Sequence, residues 1–145
     1  MKIILRNTLA VIVGLVLGSL ANMALVMAGP HVVPPPPGVN MNDMKSLAEG
    51  VHLLTPAHFL FPFLAHAVGT LVGAMVAHLA AATHRTALAF VIGALFLTGG
   101  ILAATMIPAP SWFIAVDLVV AYLPMAWLGI VIARRLRPET PARAA

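Results

Sequence analysis

The chain has 145 residues, of which 61% are hydrophobic and 8% charged, and its mean hydropathy is +1.03. A soluble globular domain has about a quarter of its residues charged, so this composition excludes that class and makes the bilayer the relevant solvent. The net charge of +4 does not indicate nucleic acid, because the basic residues stand at the ends of apolar runs, and the absence of cysteine excludes disulfides, thiolate metal sites and thiol nucleophiles.

The first apolar run covers residues 8–28, behind Lys2 and Arg6. Val26-Met27-Ala28 has the form of a signal cleavage site, but the run exceeds a signal core of about 7–15 residues, so it is expected to be kept as a membrane helix. Within it Gly14 and Gly18 continue to Asn22 on one helical face, a smooth strip that allows close backbone approach.

An external loop, 29–56, follows. Pro34 to Pro37 favour an extended polyproline spacer. After them Asn42 is expected to cap a short helix over about 43–54, because Met44, Leu47, Val51 and Leu54 recur at helical spacing while Lys45, Ser46 and Glu49 face elsewhere. Such a helix lies on the outer surface or over the bundle mouth. His31, His52 and the nearby His58 are candidates for an external metal site only in the loosest sense, since loop histidines without fixed spacing define no ligand set.

Thr55 and Pro56 open the second run, 57–82, as N-cap and first helical residue. This run carries His58, His66 and His78, and repeats the small-residue strip as Gly69, Gly73 and Ala77. His78, like His84 beyond it, falls near the far end, where snorkelling to headgroups is expected. The third run, 87–106, contains Thr98. Pro108 and Pro110 turn the chain into the fourth run, 111–133, which has Trp112 at the interface, Asp117 in the outer half and Pro124 in the middle. Pro124 cannot donate to the Val120 carbonyl, so a kink or a freed carbonyl is expected there. The tail, 138–145, is expected to be disordered.

Each run is near the ~20 residues that cross hydrocarbon, and none alternates as a strand would. The expected fold is an all-α membrane protein, a four-transmembrane-helix bundle with a short amphipathic helix in the first external loop. Seven of the eight basic residues fall on one side if both termini are cytoplasmic; Lys45 is the exception.

Depth then brings polar residues together. His66 lies ten residues past Pro56 and Asp117 nine past Pro108, roughly 13–15 Å below those prolines at helical rise. Asn22 and Thr98 reach a similar depth on the other two spans, so each helix is expected to contribute to one polar layer. His66 shares the strip of Gly69 and Gly73, which turns it inward. An intramembrane acid is costly, so Asp117 is expected either as a neutral hydrogen-bond donor or as one half of a His–Asp pair sharing a proton.

The stretches GPHVVPPPPGVNMNDMKSL, HLLTPAHFLFPFLAHAVGTLVGA and PAPSWFIAVDLVVAYLPMAW resemble a group of uncharacterised small bacterial membrane proteins, over residues 14 to 133. The resemblance implies a bacterial inner-membrane setting and brings no activity, ligand or catalytic residue with it. Small multidrug transporters differ, because their essential acid is in the first helix, and here that helix has none.

Three expectations follow. The first is a non-enzymatic subunit that self-associates or supports another membrane protein through its glycine strips (Gly14, Gly18, Gly69, Gly73) and its loop. The alternative is a proton-coupled transporter or ligand-binding bundle, with His66 and Asp117 as the titrating pair and Asn22 and Thr98 as polar contacts. The third is a haem- or metal-binding protein. No cofactor is expected, because the intramembrane histidines share one helix and a bis-histidine haem would need a symmetric dimer. The lipid bilayer is the expected partner, and nucleic acid is not.

Overall fold

The computed structural model describes residues 1–41 and 43–137, and every regular element among them is helical. Helix α1 runs from Lys2 to Val32, α2 from Met44 to Gly50, α3 from Leu60 to Ala80, α4 from Arg85 to Met106, α5 from Ser111 to Val120 and α6 from Leu123 to Leu136. Four helical stretches, counting α5 and α6 as one and the turn Pro56–Phe59 with α3, are long and apolar enough to cross a membrane.

Helix α1 extends past the expected 8–28 at both ends. Hydropathy marks only the part suited to hydrocarbon, whereas helical hydrogen bonding continues until something stops it. Here Pro30 does so: it has no N–H for the Val26 carbonyl, and the helix closes two residues later. In the loop, Asp43 is the N-cap of α2, accepting the Lys45 N–H at 3.0 Å. The expected cap, Asn42, and the expected disordered tail, 138–145, lie outside the described residues. The expected helix to Leu54 is shorter and stepped: α2 closes at Gly50 and a 3-10 turn, Val51–Leu53, completes it. Gly50 lies directly against the Val39 side chain, where a Cβ has no room.

Helix α3 is the central element, packed against α1, α4 and α6. Its contact with α1 is built from the two glycine strips, facing each other in antiparallel register. A Cβ on Gly14 would lie 2.7 Å from the Gly73 carbonyl oxygen, and one on Gly18 would lie 2.6 Å from that of Gly69. The strips are therefore consumed inside the chain, and self-association through those same faces has no surface left to use. Much of the remaining core is alanine: Ala65, Ala74, Ala77, Ala89, Ala121, Ala126 and Ala133 are fully buried. Small side chains let apolar helices approach closely where no hydrophobic effect drives them together.

One end of the bundle is fastened by polar groups. Asn7 of α1 accepts the Ala82 N–H at 2.9 Å and donates to Thr83 Oγ1 at 2.9 Å, which pins the reversal between α3 and α4. That reversal needs a left-handed residue, His84, at φ 51°. Arg6 donates to the Ala80 carbonyl at 3.0 Å, and Arg85 to that of Ala81 at 3.2 Å. Cations thus sit on the open carbonyls at the C-terminal end of α3, where the helix dipole favours them. His78 does not snorkel as expected. It is 2% exposed, because its position on α3 faces the interior with Ala74 and Ala77.

The polar layer is also corrected at one helix. Thr98 is exposed, and its hydroxyl donates back to the Ala94 carbonyl at 2.9 Å. The buried stripe of α4 is Ala89, Ile92, Gly93 and Gly100. Thr98 is two residues from Gly100, about 200° around the helix, so equal depth did not mean equal facing. Thr98→Ala is expected to shift thermal stability by less than about 0.5 kcal/mol, as for other exposed positions; a large loss in thermal unfolding would return Thr98 to the interior.

Candidate functional site

Helices α3 and α5 bring His66 and Asp117 into contact. His66 Nδ1 lies 2.9 and 3.0 Å from the two carboxylate oxygens of Asp117. Asp117 is 4% exposed, and an ionised carboxylate so placed is stable only with hydrogen-bonding partners. A second partner is Tyr122, whose hydroxyl donates to Asp117 Oδ2 at 2.9 Å. The Tyr122 ring also stacks on the imidazole, with centroids 5.7 Å apart and planes 28° from parallel.

Tyr122 reaches the site because the helix breaks. Residues 117 and 122 are five apart, so in an unbroken helix they would point about 140° away from each other. Pro124 cannot supply the N–H for Val120, and α5 ends at Val120 while α6 restarts at Leu123. The intervening Tyr122 has φ −116° and ψ −83°, outside helical geometry, and this turn swings its side chain onto Asp117. The proline that marks the kink therefore also places a third polar side chain against the pair. On the far side Gly100 of α4 makes room, since a Cβ there would overlap the Tyr122 hydroxyl.

With Nδ1 occupied by the carboxylate, Nε2 is the remaining nitrogen of His66. When Asp117 is ionised and the imidazole neutral, the proton belongs on Nδ1 and Nε2 is an acceptor; this tautomer is assigned from the hydrogen bonds. The Thr70 hydroxyl donates to the His66 carbonyl at 2.7 Å, one helical turn on.

Above the pair is a cavity of about 240 Å³. Its walls are apolar, with Phe59, Phe113, Met44 and Leu47 among them; His66 and Asp117 contribute at its base. Helix α2 and the following turn line its outer side. His58 fastens this cover: the Thr55 N–H donates to Nδ1 at 3.1 Å, and Nε2 lies 3.0 Å from the Pro34 carbonyl, to which its N–H donates. The expected cap at Thr55 and Pro56 is present, and His58 completes it. His58 is thus spent on structure, and among the described residues no three His, Cys, Asp or Glu side chains gather as a metal site, so His31, His52 and His58 do not form the external cluster considered above. Phe59 also packs edge-on against Trp112, with centroids 5.7 Å apart, which places an indole beside the cavity wall.

A second cavity, about 410 Å³, opens between α1 and α4 and is lined by Ser19, Asn22, Gly99 and Tyr122 among others. Asn22 therefore faces the same region as His66, although from this second space. Both cavities share only His66 and Gly100.

Comparisons with protein-family models, with curated proteins and with solved structures each find no match.

Proposed function

We propose that the protein is a ligand-binding membrane bundle whose ligand is a small lipophilic molecule with one O–H or N–H head. The observation that carries this reading is the apolar, covered cavity with a His–Asp–Tyr group at its base. Ligand sites are typically apolar concavities with a few convergent polar groups. An apolar cavity of about 150 Å³ takes benzene, so 240 Å³ suits a two-ring aromatic or a chain of similar bulk. The head would donate to His66 Nε2, with Asp117 holding the imidazole in its acceptor tautomer and Tyr122 holding Asp117.

The setting proposed with it is a bacterial inner membrane with both termini cytoplasmic. The distribution of basic residues supports this orientation, since Lys2, Arg6, Arg85, Arg134, Arg135, Arg137 and Arg143 then share one side. The covered cavity then lies toward the outer face. Self-association or a larger membrane complex stays compatible with the exposed apolar faces of the helices, but the glycine strips no longer argue for it.

The test uses 2-naphthol, which has the head, and naphthalene, which lacks it. Binding is read from Trp112 fluorescence in a Trp127→Phe background. Asp117→Asn keeps the size of the side chain but loses its charge. It is expected to weaken 2-naphthol about tenfold or more, the value of a hydrogen bond to a charged group, and to leave naphthalene unchanged. Equal affinities of the wild type and the variant for 2-naphthol would remove Asp117 from the site.

A further inference from the structure

The two cavities raise the question of how a ligand gets in. The outer cavity is roofed by α2 and its turn, and His58 ties that roof to Pro34. The second cavity has no such cover. Its rim includes Met23 and Leu95, which are 55% and 46% exposed, and exposed apolar side chains along a membrane-spanning helix belong against lipid. Ser19 and Asn22 line the same space and offer a polar head hydrogen-bonding partners on the way in. At its inner end are His66 and Gly100, which also belong to the outer cavity, and the Tyr122 ring lies over Gly100 between the two.

We propose that the ligand reaches His66 sideways out of the bilayer, through the opening between α1 and α4, with Tyr122 at the inner gate. This rests on the ligand-binding reading above and narrows it: the ligand is a membrane-dissolved amphiphile, not a solute taken from water. Such a route leaves the roof closed throughout binding, and the Tyr122 ring opens the connection only by swinging off Gly100 and transiently leaving Asp117.

The chain contains no cysteine, so a single introduced thiol can be modified cleanly and reversibly. A Cβ on Gly99 meets nothing within 4 Å, and Gly99 lines the lateral cavity, so Gly99→Cys adds a thiol there without disturbing the packing. Leu53→Cys puts a thiol on the roof itself, where Leu53 is 50% exposed and lines neither cavity. Each variant is treated with benzyl methanethiosulfonate and later restored with reductant, so one folded protein is compared with itself. Stopped-flow fluorescence gives the association and dissociation rates of 2-naphthol, and titration gives its affinity.

Modification of the Gly99→Cys protein is expected to slow both rates about tenfold while affinity stays within about twofold, and reductant is expected to restore them. Modification of the Leu53→Cys protein is expected to change neither rate. Unchanged rates after modification of Gly99→Cys, or slowing at Leu53→Cys alone or at both positions equally, overturn lateral access. Loss of affinity on modifying Gly99→Cys also overturns it, because the lateral cavity would then hold the ligand instead of passing it. Absence of saturable 2-naphthol binding to the unmodified protein overturns the reading of the site itself, and lateral access with it.

Discussion

Gly18→Ala is expected to destabilise the single-chain bundle by about 1–3 kcal/mol, and Gly18→Leu to keep α1 from docking on α3. A Cβ at Gly18 would lie 2.6 Å from the Gly69 carbonyl oxygen, 3.1 Å from the Gly73 Cα and 3.1 Å from Phe96 Cζ. Two of these three atoms are backbone, so no rotamer change relieves the overlap and the helices must separate. The reciprocal contacts fail together, because a Cβ at Gly69 would itself meet the Gly18 carbonyl at 2.9 Å and Asn22 Cβ at 2.8 Å. What is lost is dispersion at close range, which in lipid is a main source of helix association. Thermal unfolding in detergent, with size-exclusion chromatography alongside, measures the effect. Gly99→Ala on the neighbouring α4 is the comparison, since its Cβ would meet nothing within 4 Å. A Gly18→Ala protein of unchanged stability but altered oligomer size would mean that the strip joins chains and not helices of one chain.

This outcome also bears on the site. Asn22 stands next to Gly69 and, with Ser19, forms the α1 wall of the lateral cavity, so the docking of α1 on α3 fixes where that wall stands. Loosening the strip therefore widens the space through which we propose the ligand passes. Stability and ligand kinetics are expected to change together in Gly18 variants, although Gly18 lines neither cavity.

Depth and face were legible from the sequence to different degrees. Four spans emerge from hydropathy because each is a long apolar run. The encounter of His66 with Asp117 emerges from counting residues below two prolines, since rise per residue is nearly constant in any helix. Facing requires a reference stripe. His66 had one in Gly69 and Gly73, whereas Thr98 had none recognised, and the inward stripe of α4 through Ile92, Gly93 and Gly100 leaves it outside. Depth alone puts His78 at the boundary, yet the Ala74–Ala77 face buries it. Tyr122 escapes the sequence pattern for a different reason. Helical periodicity places it away from Asp117, and only the interruption ahead of Pro124 reverses that. The signal was present as a lone tyrosine two residues before a proline within a span that carries the only intramembrane acid. A proline in a membrane helix is better treated as resetting the face count than as a local bend.

Gly100→Ala tests whether that tyrosine matters. The added Cβ would overlap the Tyr122 hydroxyl and lie 2.5 Å from its Cζ. The ring is 1% exposed and has nowhere to retreat without leaving Asp117 or His66. The substitution is expected to remove the Tyr122–Asp117 hydrogen bond, worth about 1.5–3 kcal/mol to a charged acceptor, and to weaken 2-naphthol by about tenfold. Gly99→Ala, one residue away on the same helix, is expected to leave binding unchanged and to gain up to about 1 kcal/mol of helix propensity, so propensity cannot produce a loss at Gly100. A double-mutant cycle locates the cause. Tyr122→Phe deletes the oxygen that Gly100→Ala collides with, though the ring carbon stays close. In that background Gly100→Ala is expected to cost clearly less than in the wild type, with a coupling of about 0.5–3 kcal/mol. If the cost is the same in both backgrounds, the glycine serves the approach of α4 to its neighbours and not the placement of the hydroxyl.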